Sequence, residues 1–352
     1  MTIDVERNQQ FLTDLFAGPF RGHAIIMDAP LPPREPAEAL DDGDFAISQR
    51  PVKAWVPTIL RQYENMLAWH EALGDDGVPF ARLWTGTEII AAAFGCPVHV
   101  YEDSPPCALP LVTTAAEADA ITLPDLHARP LERVFELGTL LRDRLGPDVP
   151  LGVPDIQSPF DIAALIWRKE DFFIALHEEP EAVKRLVAKC QQLLTTFLHE
   201  FKRQFPNCNL CHCPNAWAPP ELGCWLSEDE AGSLSVPMFE EFCQPVLGDL
   251  SRTFGGLFMH CCATADHQYA EFKKIPNLRG LNRYFQEPGP GPAIRTFAGH
   301  CVLMMAWFDE ATLNMMLDLA LPDSRFLLNP SAATLDEAKA LYERLRIRCP
   351  RS

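Results

Sequence analysis

The residues best suited to chemistry sit where a short apolar run, Leu257-Phe258-Met259, stops at His260-Cys261-Cys262. An apolar run that ends abruptly in small and polar residues reads as a buried strand entering a loop. His260 and Cys262 are two positions apart, so on an extended chain their side chains leave the same face. An imidazole beside a thiolate suits zinc, whose catalytic sites usually take three ligands from the protein. A buried cysteine pair beside a hydrogen-bonded histidine fits the same residues equally well. Cys261 points away from Cys262 on an extended chain and joins the metal candidates only if the chain turns there.

The elements that must position these residues alternate. Val56 to Leu73 has apolar residues at helical spacing, and Pro79 to Thr85 resembles a strand leading to a helix that Thr87 would cap. Leu151 to Ile156 reads as a strand breaking at Gln157-Ser158-Pro159-Phe160, and Pro180 to Phe205 as a long helix. Strand patterns at 209–213, 224–227, 256–259, 278–282, 302–307 and 325–329 follow, with helical patterns at 237–254, 310–320 and 336–346. Strands alternating with helices indicate a parallel sheet covered on both faces. About eight such units favour a closed α/β barrel, the (β/α)8 or TIM fold, as a single domain. Residues 1–50 read as an N-terminal arm with a proline-rich connection, and 51–352 as the barrel.

In that fold function sits at the carboxyl ends of the strands. Reading those ends gives Trp84, Asp155 to Gln157, Ser227-Glu228, His260 to Cys262, Asn282-Arg283, Trp307 and Asn329. Of these, Trp84, Gln157, Asn282, Arg283, Trp307 and Asn329 are the candidate substrate-binding residues.

Composition excludes several classes. The 352-residue chain is 47% hydrophobic, enough for a sizeable core, with no run of apolar residues long enough to span a bilayer. Its start, MTIDVERNQQFL, lacks the basic and apolar regions of a secretory signal, so a cytoplasmic location is expected. A net charge of −18 argues against nucleic acid as a partner. Twelve cysteines in such a chain point to reduced thiols or metal rather than disulfides. Within them, Cys208-x-x-Cys211-x-Cys213 is one compact cluster, whereas structural zinc sites draw on two separated pairs, so buried reduced cysteines are expected there. Ser158 and Ser227 lack a Gly-x-Ser-x-Gly frame, and neither glycine-rich stretch has phosphate-loop spacing.

Gln157-Ser158-Pro159-Phe160-Asp161, the stretch from Trp225 to Pro245 and the strand into His260 resemble the uroporphyrinogen decarboxylase superfamily, over roughly residues 55 to 346. The resemblance implies a (β/α)8 barrel and two branches of activity. One is a metal-free decarboxylase that grips its polycarboxylate substrate with an arginine-rich N-terminal segment. The other comprises zinc methyltransferases that move methyl groups between corrinoid carriers and thiols, their metal held by a His-x-Cys pair and a later Cys. Here the arginine-rich segment is replaced by AWVPTILRQYENM, with Arg61 alone. His260 and Cys262 match the His-x-Cys pair, but Asn329-Pro330-Ser331-Ala332 stands where the later Cys is expected, leaving Ala332 at its position.

The third ligand must then come from elsewhere. The acidic stretch of the family borders the active site, and carboxylate is a legitimate zinc ligand, which makes Glu228 or Asp229 the leading substitute. Either can also act as general acid or base, or simply form a solvated loop before the next helix. Cys224 begins its strand, His267 would have to fold back, and Cys301 precedes its strand at the opposite barrel face. The resemblance thus implies zinc-assisted methyl transfer to or from a thiol or corrinoid carrier, the latter as a substrate or borne by a partner protein. It leaves open a metal-free decarboxylase for a porphyrinogen-like or other carboxylated substrate, and a ligand-binding barrel without turnover. A small-molecule substrate and a homodimer are further expectations; a membrane partner is not.

Overall fold

The computed structural model describes residues 4–30, 51–101, 105–285, 287–306 and 308–351. The proline-rich connection from residue 31 onward and Trp307 therefore lie outside the described residues. Among those described, no helix is long and apolar enough to cross a membrane.

The strands are β1 (Ala24–Ile25), β2 (Ala81–Arg82), β3 (Val98–His99), β4 (Cys107–Ala108), β5 (Leu151–Gly152), β6 (Cys208–Asn209), β7 (Cys224–Ser227), β8 (Leu257–Cys261), β9 (Leu278–Arg283), β10 (Val302–Ala306) and β11 (Arg325–Asn329). All but the β3–β4 hairpin pair in parallel, with helices between them, which is the α/β architecture of a TIM barrel. The ladders run β1-β11-β10-β9-β8-β7 in one sheet and β2-β5-β6 in the other.

Two seams join these sheets, and each is made differently. At the first, the chain beyond β5 reaches β7 through a Gln157–Ser227 bridge, with the Ser158 amide donating to the Ser227 carbonyl at 2.6 Å. At the second, one backbone bond, from the Asp76 amide to the Ile25 carbonyl at 3.2 Å, is reinforced by side chains. Asp76 Oδ2 accepts the Ile25 amide at 2.8 Å and Asp75 Oδ2 the Met27 amide at 2.7 Å. Asp76 is fully buried and is paired with Arg346 and, at 2.8 Å, with Arg351 of the C-terminal segment.

The core lies where the apolar runs predict it. Every residue of β7, β8 and β10 is buried, as expected for strands covered on both faces. Residues 4–30 pack into this core rather than standing apart from it. The Val5–Ala17 helix sets Phe16 edge-on against Phe258 at 5.0 Å, and Arg325 donates to the carbonyls of Asp14, Leu15 and Gly18 at its end. Gly280 makes room for this packing, since a Cβ there would come within 2.9 Å of Phe258.

Local chemistry explains where the elements start and stop. Ser158 caps the Pro159–Ile166 helix by accepting the Asp161 amide at 3.0 Å. The helix expected over 237–254 is two, Val236–Phe242 and Gln244–Phe254, because Pro245 removes an amide donor at the junction. Thr87 is not a cap: the short helix there runs Ile89–Ala93 from Glu88, without a side-chain cap.

Candidate functional site

A cavity of about 490 Å3 opens at the carboxyl ends of the strands, where this fold places its sites. Parallel register decides what meets there. Ser227 of β7 is level with His260 of β8, and His260 with Asn282 of β9. His260 lines the cavity, and Asp229 reaches the same place from two residues beyond its own strand position.

One nitrogen, one oxygen and one sulfur converge at this point. Ligand atoms of Asp229, His260 and Cys262 all lie within 4.8 Å of one another. His260 Nε2 is 4.0 Å from Asp229 Oδ1, which also accepts the Cys262 amide at 2.7 Å. Two ligand atoms around tetrahedral zinc stand about 3.4 Å apart, from metal–ligand distances near 2.1 Å. The trio needs only a small contraction to match.

The hydrogen bonds behind His260 also set its tautomer. Asn282 donates its Nδ2 to the Met304 carbonyl at 2.7 Å, so its Oδ1 faces His260 Nδ1 at 2.6 Å. Oδ1 is an acceptor, so Nδ1 carries the proton and Nε2 keeps its lone pair. This is the support that a metal-binding histidine ordinarily receives. The Cys262 thiol is pushed up to about 12 by the partial burial of its sulfur and by Asp229, so it is protonated at neutral pH in the metal-free chain. Donor types, spacing and the fixed tautomer together fit zinc.

Several expected site residues lie elsewhere. Cys261 is fully buried on the outer side of the sheet, where its sulfur accepts from Arg283 Nη1 at 3.1 Å. The strand runs through Cys261 without a turn, so alternation sends it away from His260 and Cys262. Arg283 is spent in the same way, donating to the carbonyls of Cys261 and Ala263, and it does not line the cavity. Asn282 lies behind His260, bonded to its Nδ1, and is not among the cavity-lining residues. Gln157 is the bridge residue of the first seam.

Glu228 is fully buried, away from the cavity, with Cys243 3.8 Å from its Oε1. Burial, then the charges of Asp229 and Glu230, against bonds from Asp161 and Ser158, push its carboxyl up to about 7. Of the two carboxylates read from the acidic run, Asp229 faces the cavity. His267 bonds the Leu234 carbonyl at 2.9 Å and takes no part. Trp84 and Asn329 do line the cavity.

Beside the strand-end residues Asp155 and Ser227, the wall holds Arg82 and His212, which are not among the site candidates read from the sequence. Arg82 lies over Trp84 at 4.1 Å and donates to the His212 carbonyl at 2.5 Å. His212 Nε2 is 3.1 Å from both Asp155 Oδ1 and Ser227 Oγ, and takes the indole N–H of Trp225 at 3.2 Å. Indole only donates, so Nε2 is an acceptor. Burial, with the charge of Arg82, holds His212 well below its usual range, hence neutral. The available signal was Asp155, already a strand-end residue, and a histidine placed just after β6 inside the cysteine run. Cys208 and Cys211 are buried, and among the described residues no metal-ligand group includes them.

Asp155 gives the site a measurable pH signature. Burial raises its carboxyl to about 6, against the pull of Arg82, whereas an unfolded aspartate titrates near ~3.9. The folded chain therefore holds this proton more tightly. The resulting stabilisation is complete below the unfolded value and lost as pH rises through about 6. Asp155→Asn is expected to melt higher than wild type at slightly alkaline pH, with the gap closing under mild acid. The side chain is 31% exposed, so screening keeps the gap to a few degrees. Equal gaps at both pH values, by calorimetry, would refute the assignment.

Comparison with known proteins agrees with this frame. The uroporphyrinogen decarboxylase (URO-D) family model matches residues 67–217. A methyltransferase from Methanosarcina mazei is similar in structure, with a TM-score of 0.65 and 12% sequence identity, covering 96% of this chain and 97% of that chain. At that identity the likeness speaks for the fold. No curated protein matches the sequence. The family-model match includes residues 157–161, which carry part of the resemblance read from the sequence, and the structural likeness agrees with the α/β barrel frame.

Proposed function

We propose that this barrel, on the frame of the uroporphyrinogen decarboxylase superfamily, is an enzyme of metal-assisted methyl transfer to or from a thiol or corrinoid carrier. The observation that carries the reading is the convergence of Asp229, His260 and Cys262 on one point of the cavity wall. These three residues would hold zinc. When bound, zinc supplies a Lewis acid that makes a thiol available as thiolate at neutral pH.

The remaining work belongs to side chains of the cavity. Asn282 keeps the lone pair of His260 directed at the site. Arg82, stacked on Trp84, offers a positive charge to one anionic group of a substrate. Among the described lining residues it is the one arginine, against the carboxylates of Asp28, Asp155 and Asp229. That balance supports a small, singly anionic ligand over a polycarboxylate. Asp155, beside neutral His212, holds or releases a proton within the same cavity.

A metal-free carbon–carbon lyase is the second reading, favoured by this acid–base pair alone. Metal content of tag-free protein prepared without chelator, measured with methylcobalamin demethylation by small thiols, separates the two. The proposal expects about one zinc per chain and thiol-dependent loss of the methyl group. Protein that takes up no zinc on reconstitution, and leaves methylcobalamin intact, would reject it in favour of decarboxylation assays.

A further inference from the structure

We propose that Asp161 is the positioning residue of the metal site, holding Asp229 in ligating geometry through the backbone of the loop that carries it. The inference rests on the zinc reading above. Asp161 lies in the first turn of the Pro159–Ile166 helix, is 2% exposed and does not line the cavity. Its Oδ2 accepts the Asp229 amide at 2.6 Å and its Oδ1 accepts the Glu230 amide at 3.1 Å. One carboxyl group thus grips two successive amides, which fixes the peptide plane from which the Asp229 side chain departs.

Both ends of this link are anchored. Asp161 is itself placed by the Ser158 cap at 3.0 Å. Ser158 is tied to β7 through its amide bond to the Ser227 carbonyl. Asp229, so held, receives the Cys262 amide at 2.7 Å and faces His260 at 4.0 Å. The path from Ser158 to Asp161 to Asp229 therefore joins the first seam of the barrel to all three candidate ligands. Both carboxyl oxygens of this buried side chain are spent on the 229–230 loop.

The test is a Co2+ titration of metal-free protein, followed by visible absorption, for wild type, Asp161→Asn and Asp161→Ala. Loss of the grip should weaken Co2+ binding about 10–100-fold, the range for groups that orient ligands from behind, and shift the ligand-field bands. Asp161→Asn keeps one acceptor and should fall between wild type and Asp161→Ala. It also carries the test if the alanine variant fails to fold. Asn8→Ala, which loses bonds to the Asp75 and Gly77 carbonyls at the other seam, controls for destabilisation and should leave the spectrum unchanged. Folded Asp161 variants with wild-type affinity and spectrum would overturn the inference while sparing the zinc reading. Wild-type protein that binds no Co2+ would overturn both.

Discussion

His260→Ala and Cys262→Ser are each expected to lower zinc affinity by more than about 100-fold, beyond the ~10–100-fold typical of groups that only support a ligand. Asn282→Ala should fall within that smaller range, because Asn282 touches His260 Nδ1 and not the site itself. Cys261→Ser should leave affinity unchanged, since that sulfur faces Arg283 on the other side of the sheet. Cys262 is exposed, so its replacement should cost the metal-free fold little. Competition titration with a chromophoric chelator reads all four. Equal affinity in the Cys262 and Cys261 variants would contradict the assignment of Cys262 as ligand.

Asp76→Ala should have the largest effect on stability. The side chain is fully buried, accepts the Ile25 amide and pairs with Arg346 and Arg351. Removing one member of such a buried network costs about 3–5 kcal/mol, because the remaining charges and donors lose their partner. The lesion falls at the second seam, where side-chain bonds supplement one backbone bond from the Asp76 amide to the Ile25 carbonyl at 3.2 Å, so little backbone pairing remains to compensate. Asp119→Ala, which breaks an exposed pair with Arg185, should be nearly silent. Urea denaturation of the three proteins decides: an Asp76→Ala midpoint equal to that of Asp119→Ala would show that the seam is held by packing alone.

How much of this was legible in the sequence depends on the range of the interactions. The Val56–Leu73 helix, the Pro180–Gln204 helix, β7 and β11 match their sequence patterns closely. Each is set by periodicity and end chemistry within its own residues. The β8 pattern extends farther than expected, through His260 to Cys261, because a polar residue at a strand end can be buried when neighbouring strands supply its partners. Asn282 does this for His260, and Arg283 for Cys261.

By itself, the sequence determined the alternating α/β order and put His260 and Cys262 on one side of their strand, since side-chain alternation follows from the backbone. The resemblance made Glu228 or Asp229 the leading candidate for a third ligand, with Cys261, Cys224 and His267 behind them. Tertiary structure alone chose Asp229 over Glu228, gathered Arg82, Asp155 and His212 on one wall, and closed a seam with Asp76. The reason is physical. Which side chains meet across a barrel is fixed by the register of parallel strands separated by whole helices, and by buried hydrogen bonds such as those of Asp161. Such partners are far apart along the chain, and no local pattern records their pairing.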